Sequence, residues 1–128
     1  MTQTTSLLLD THVFLWWQAG DPRLGDGVKE RLADAPLVFV SAASAWEAAI
    51  KVGLGRLRLP RTVEEGVQEA GFSKLPVTFA HAGRVASLPR HHADPFDRLL
   101  IAQAQQEGLT LVTHDTAFRQ YDVELLLF

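Results

Sequence analysis

A chain of 128 residues, 47% of them hydrophobic and 21% charged, has the size and composition of one ordinary domain with a real core. Twelve Lys plus Arg against fifteen Asp plus Glu give a net charge of −3, which excludes nucleic-acid binding by bulk charge alone. The absence of cysteine excludes disulfides and thiolate metal sites, and no apolar run approaches the roughly 20 residues needed to span a bilayer.

The elements read in order as follows. Ser6 to Leu9 is a short apolar run suited to a buried strand, and Asp10 ends it. Because Asp10 interrupts that run and no basic segment precedes it, the stretch does not read as a signal peptide. A soluble cytoplasmic domain without membrane association is the expectation. Thr11 to Ala19 reads as a short helix stopped by Gly20, Asp21 and Pro22. Its Phe14, Leu15, Trp16 and Trp17 cannot all face one core from one helix, so part of that surface is expected to meet another helix or another chain. Asp26 to Ala35 is a polar helix with Val28 and Leu32 inward. Leu37 to Val40 is a second buried strand, and Ser41 to Val52 an alanine-rich helix carrying Glu47.

Arg61 to Ala70 reads as a helix with Thr62 as cap, and Lys74 to Val77 as a short strand. Thr78 to Leu88 is a further helix, capped by Thr78 and ended by Pro89. The helix from Asp94 to about Glu107 has the clearest start: Asp94 suits the N-cap, Pro95 the first helical position, and Asp97 the positive end of the helix dipole. Gly108 ends it. Leu109 to Thr113 is a strand ended by Asp115, a short helix runs to about Tyr121, and Glu124 to Phe128 is a last edge strand. Strands alternating with helices predict an α/β fold, one domain over residues 1–128, with a mainly parallel sheet of four or five strands. Ligands of such sheets sit off the carboxyl ends of the strands.

The acids are placed suggestively against that frame. Asp10 and Asp115 each follow a strand, and the helices carrying Glu47 and Asp97 start on the same edge, so four acids are expected to converge. Each has an innocent reading: Asp10 and Asp115 as caps, Asp97 as a dipole-favoured residue, Glu47 as the partner of Lys51 four residues on. Together they are harder to dismiss. Two like charges about 5 Å apart at an effective dielectric near 20 repel by roughly 3 kcal/mol. Four ionised carboxylates therefore need a cation, basic partners or protonation. Oxygen ligands select Mg²⁺ or Mn²⁺, suited to attack of water on a phosphodiester. His91-His92 is the one tight histidine cluster, but adjacent loop histidines make a poor zinc site. His12, His81 and His114 read as structural or surface residues.

Basic residues are also unevenly spread. Lys51, Arg56, Arg58 and Arg61 lie in a stretch from Ala48 to Val63 without an acid, and Lys74, Arg84 and Arg90 in another from Ala70 to Ala93. Either these are solvated faces, or they are local ground for binding phosphates.

The stretches Leu-Leu-Asp10-Thr-His, Ser-Ala-Trp-Glu47-Ala-Ala-Ile-Lys, His-His-Ala-Asp94-Pro-Phe-Asp97-Arg-Leu-Leu-Ile-Ala-Gln-Ala and Leu-Val-Thr113-His-Asp115 come in the order seen in PIN domains. From about Leu7 onward the chain resembles the VapC toxins of bacterial toxin–antitoxin pairs, most specifically from Asp94 to Ala104. The resemblance implies an α/β/α sandwich that binds Mg²⁺ or Mn²⁺ and cuts RNA. It puts the catalytic and metal-binding acids at Asp10, Glu47, Asp97 and Asp115, with Thr113 as a further site residue facing substrate and Asp94 as a cap. Lys51 and Arg56 are expected to hold the RNA backbone. It also implies a homodimer or higher oligomer and a cognate antitoxin that blocks the site. The rival expectations are a non-catalytic RNA- or protein-binding module and another Mg²⁺-dependent phosphohydrolase.

Overall fold

The structure, a computed structural model, describes residues 5–128; the first four residues, part of the stretch just read for a leader, lie outside it. Five strands form one sheet: β1 (Leu7–Leu9), β2 (Val38–Ser41), β3 (Ser73–Leu75), β4 (Thr110–Thr113) and β5 (Leu125–Leu127). Their order is β3-β2-β1-β4-β5 and every pairing is parallel. The helices are α1 (Thr11–Ala19), α2 (Asp26–Asp34), α3 (Ala42–Gly53), α4 (Val63–Ala70), α5 (Phe79–Val85) and α6 (Pro95–Glu107), with a 3₁₀ turn over Thr116–Gln120.

Alternation along the strands divides the interior into two cores. Leu7 and Leu9 of β1, with Val38, Val40 and Val112, pack beneath Val13 and Phe14 of α1, Val28 and Leu32 of α2, and Val63 and Val67 of α4. Leu8 and Leu111 point to the other face, against Leu100, Ile101 and Ala104 of α6 and against Phe118 and Tyr121. Both faces of the central strands are covered, which is why β1 is three leucines rather than an alternating strand. Helices on both faces give the expected α/β/α layering. Among the described residues no helix is long and apolar enough to cross a membrane.

The chain moves outward from β1 through β2 to β3, then returns to lay β4 on the other side of β1. That reversal falls at the carboxyl ends of β1 and β4, the place where open parallel sheets bind ligands. Asp10 and Asp115 end those two strands.

The three aromatic residues of that run in α1 find cover within the chain. Phe14 is buried and meets the Phe72 ring; Trp17 also packs on Phe72, and Trp16 on Phe128 and His114. Arg23 sits 4.6 Å over the Trp16 ring. Of the two alternatives for that surface, contact inside the chain accounts for the rings. The covering residues, Phe128 just after the edge strand β5 and Phe72 just before β3, are distant in sequence.

The segment from α5 to α6 has few apolar anchors and is held by polar ones. Arg98, in the first turn of α6, donates to the carbonyls of Pro89 (2.7 Å), Val85 (3.2 Å) and Leu88 (3.4 Å) and lies 3.3 Å from the Tyr121 hydroxyl. That hydroxyl accepts from the N–H groups of His91 (3.2 Å) and His92 (2.8 Å). A part-buried guanidinium satisfying several carbonyls is a strong tie, because hydrogen bonds to charged groups contribute roughly 1.5–3 kcal/mol. Arg98→Ala is expected to lower unfolding stability in urea by about 2 kcal/mol. Arg98→Lys should recover little of it, since one ammonium cannot reach the same fan of carbonyls. Unchanged urea midpoints for both variants would contradict this account of the segment.

Candidate active site

Local chemistry places each acid. Asp10 is the N-cap of α1, with Oδ1 accepting from the His12 N–H at 3.1 Å. Its other oxygen, Oδ2, accepts from the Thr113 hydroxyl at 2.7 Å. Thr113 Oγ1 also accepts from the Asp115 N–H at 3.0 Å, so one hydroxyl couples the ends of β1 and β4. Asp115 caps the 3₁₀ turn through Oδ1, which accepts from the Ala117 N–H at 2.9 Å. Asp94 caps α6, accepting from Phe96 (2.8 Å) and Asp97 (3.1 Å), and Pro95 occupies the first helical position. The cap thereby fixes the turn that carries Asp97. Ser41 caps α3 through the Ala43 N–H, and the Thr11 hydroxyl donates to Ser44 at 2.8 Å, drawing α1 and α3 together beside Glu47.

The innocent readings thus hold for the caps, and Glu47 does pair with Lys51, Oε2 to Nζ at 3.1 Å. They do not account for the whole. Glu47 is 6% exposed, and its Oε1 is buried without a hydrogen-bond partner. Asp10 is 4% exposed, and burial raises its carboxyl above the ordinary aspartate value although the Thr113 hydroxyl and the His12 N–H pull the other way. Asp97 carries the largest perturbation. Burial first, and then the charges of Asp10, Asp94, Glu47 and Asp115, push it up to about 8. The charges of the other three predicted acids, Asp10, Glu47 and Asp115, thus all bear on Asp97, and so does that of Asp94.

A PIN-domain model matches residues 7–124. This chain belongs to the PIN-domain family. It is similar to Ribonuclease VapC22 of Mycobacterium tuberculosis, with 32% identity over 120 residues, covering 91% of this chain and 92% of that protein. Its fold is similar to that of VapBC2 from Rickettsia felis, solved bound to a DNA fragment from its promoter. There the TM-score is 0.70 with 16% identity, over 95% of this chain and 98% of that one. FitAcB from Neisseria gonorrhoeae gives a TM-score of 0.65 with 24% identity, over 94% and 96% of the two chains. The PIN-type α/β/α architecture expected from the motifs is the one observed.

Two expected roles look different in this PIN domain once side chains are placed. Thr113, expected to face substrate, is fully buried, and its hydroxyl donates to Asp10 and accepts from the Asp115 N–H, so it braces two acids. The basic stretch from Ala70 to Ala93 is partly consumed within the fold. Lys74 pairs with Glu64, and Arg84 donates to Gln105 and Gln106. Arg61 likewise pairs with Glu69, whereas Arg56 and Arg58 are exposed beyond the end of α3.

Sequence reasoning also passed over His92. Its Nε2 lies 3.1 Å from Asp97 Oδ2 and 3.7 Å from Asp115 Oδ2, and the three residues offer ligand atoms within 4.8 Å of one another. His91 instead packs on Tyr121. The adjacency that argued against a metal site was a sound objection to both histidines binding together, but it did not bear on one of them alone. His81, buried and bonded to Glu107 at 2.9 Å, is structural as expected.

The raised Asp97 has a consequence for stability. Between the ordinary 3.8 and about 8 the folded chain keeps a proton that the unfolded chain has lost. Stability therefore falls as pH rises through that window and levels off above it. The melting temperature of the metal-free protein is expected to drop between about pH 5 and 8. Asp97→Asn should flatten that slope and raise the melting temperature at the alkaline end. A wild-type melting temperature that rises over this range would contradict the clustering of charge described here.

Proposed function

We propose that this chain is the toxin of a type II toxin–antitoxin pair, an endoribonuclease that depends on Mg²⁺ or Mn²⁺ and hydrolyses RNA phosphodiester bonds. What carries the reading is the charge that Asp10, Glu47 and Asp115 bring to bear on Asp97, which together with burial drives Asp97 up to about 8. One lysine at Glu47 does not offset four carboxylates. The relationship to Ribonuclease VapC22 supplies the reaction class.

The residues present fit a hard divalent cation. Their donor set is carboxylate oxygen, and Glu47 Oε1 is a buried acceptor with nothing to accept. Asp10 and Asp97 would hold the ion directly, with Glu47 and Asp115 completing the site. When bound, the cation lowers the pKa of a coordinated water and offsets charge on the phosphoryl group. The chain's own part is positioning. Thr113 and the His12 N–H hold the two Asp10 oxygens, and the Asp94 cap sets the first turn of α6. Lys51, paired with Glu47, and the exposed Arg56 beyond the end of α3 would offer cationic contacts for the RNA backbone. Hydrolysis of this kind leaves a 5′-phosphate and a 3′-hydroxyl and asks nothing of the ribose 2′-hydroxyl. A cognate antitoxin is the proposed inhibitor, a homodimer or higher oligomer the proposed assembly, and the cytoplasm the proposed setting.

Purified protein is expected to cleave RNA with Mg²⁺ or Mn²⁺ and to stop with chelator. Asp10→Asn and Asp97→Asn should abolish cleavage while remaining folded. Asp94→Ala removes a cap worth about 1 kcal/mol and should weaken metal binding roughly fivefold. Undiminished cleavage by folded Asp97→Asn would sink the proposal, and equal losses at Asp94 and Asp97 would overturn the division of labour between them. Turnover of a simple phosphate monoester with no action on RNA would favour the small-ester phosphohydrolase instead.

A further inference from the structure

We propose that His92 is a positioning residue of the acidic site: its Nε2–H donates to the Asp97 carboxylate and fixes which Asp97 oxygen faces the metal. This inference rests on the reading of Asp97 as a metal ligand.

The tautomer decides the role. His92 Nδ1 accepts from the Asp94 N–H at 3.2 Å. A ring nitrogen that accepts carries no proton, so the proton of the neutral ring sits on Nε2. Nε2 is buried and lacks a well-aligned partner. The acceptors in reach are Asp97 Oδ2 at 3.1 Å and Asp115 Oδ2 at 3.7 Å. An unmatched buried donor costs roughly 1–3 kcal/mol, and a small rotation of the Asp97 carboxylate supplies its acceptor. The same three residues could be read as a metal trio, since their ligand atoms lie within 4.8 Å of one another. Ligation through Nε2 would require the proton on Nδ1, where it would confront the Asp94 N–H. The geometry therefore selects donation over ligation.

The ring is also held where it is. The Tyr121 hydroxyl accepts from the backbone N–H of His92 and of His91, and Arg98 pins the carbonyls just upstream. Phe118 packs edge-on against the imidazole, centroid to centroid 6.0 Å. Asp94 thus serves the site twice: its side chain caps the helix of Asp97, and its N–H sets the proton position on the histidine that faces Asp97. Hydrogen bonds to ligating carboxylates orient them, and losing such an outer partner typically costs 10–100-fold in metal affinity.

The test combines Mn²⁺ calorimetry with ¹⁵N NMR of the imidazole in the full chain. His92→Ala should weaken Mn²⁺ binding by roughly 10–100-fold. His92→Gln, which places an amide N–H near the position of Nε2, should recover most of that loss. With the ring neutral, the ¹⁵N pattern should show the Nε2–H tautomer and keep it when Mg²⁺ is added. Loss of the Nε2 proton on adding Mg²⁺ would mean direct ligation and overturn the proposal, as would an Nδ1–H tautomer. Equal Mn²⁺ affinity of wild type and His92→Ala, or no recovery in His92→Gln, would overturn it too. Failure of wild type itself to bind Mn²⁺ would remove the metal reading and this role with it, while the tautomer would still report whether the hydrogen bond exists.

Discussion

Repulsion among crowded carboxylates, Asp10 and Glu47 buried and Asp115 exposed, is the constraint on which this structure turns. Folding brings the charges of Asp10, Asp94, Glu47 and Asp115 to bear on Asp97, and the strain falls there. Near the surface a unit-charge pair about 4 Å apart at an effective dielectric of 20 is worth about 4 kcal/mol. Such a cluster is costly to keep empty of positive charge, and a fold built only for stability would replace some of it with apolar residues. The surrounding hydrogen bonds do the opposite: they hold the acids in place. Thr113 joins Asp10 to the Asp115 backbone, and the α6 cap fixes the turn of Asp97.

The fold supplies the location through topology alone. Reversal of strand order between β1 and β4 separates the helices that follow them and leaves the carboxyl ends of both strands open. Two aliphatic cores, one on each face, lock β1 in the middle. Asp10 and Asp115 can then cap their following segments and still present an oxygen inward. A cap and a ligand are compatible roles because a carboxylate has two oxygens, and in Asp115 one serves the Ala117 N–H while the other faces His92.

Much of this was legible in the sequence because it is local. Strand ends marked by Asp, the Asp94-Pro95 helix start and the Thr62 and Thr78 caps depend on residues within three or four positions, and the structure bears them out. What escaped is long-range. Thr113 reaches Asp10 across 103 residues, a bond that no local pattern discloses. The place of His92 is set by Tyr121, 29 residues on, so two adjacent histidines in a loop gave no hint that one enters the site and the other leaves it. The cover of Trp16 and Trp17 by Phe128 and Phe72 was unreadable for the same reason. Charge runs misled in part, since Lys74 and Arg84 find partners that sequence spacing does not disclose.

The most direct test of the central claim is proton release on metal binding. Asp97, held near 8 by burial and its acidic neighbours, must give up its proton to serve as a ligand. Calorimetric titration with Mn²⁺ at about pH 7, repeated in buffers of different ionisation enthalpy, counts that proton. The account predicts release of about one proton per ion bound, lost in Asp97→Asn. Tight binding without proton release, or the same release from Asp97→Asn, would contradict it.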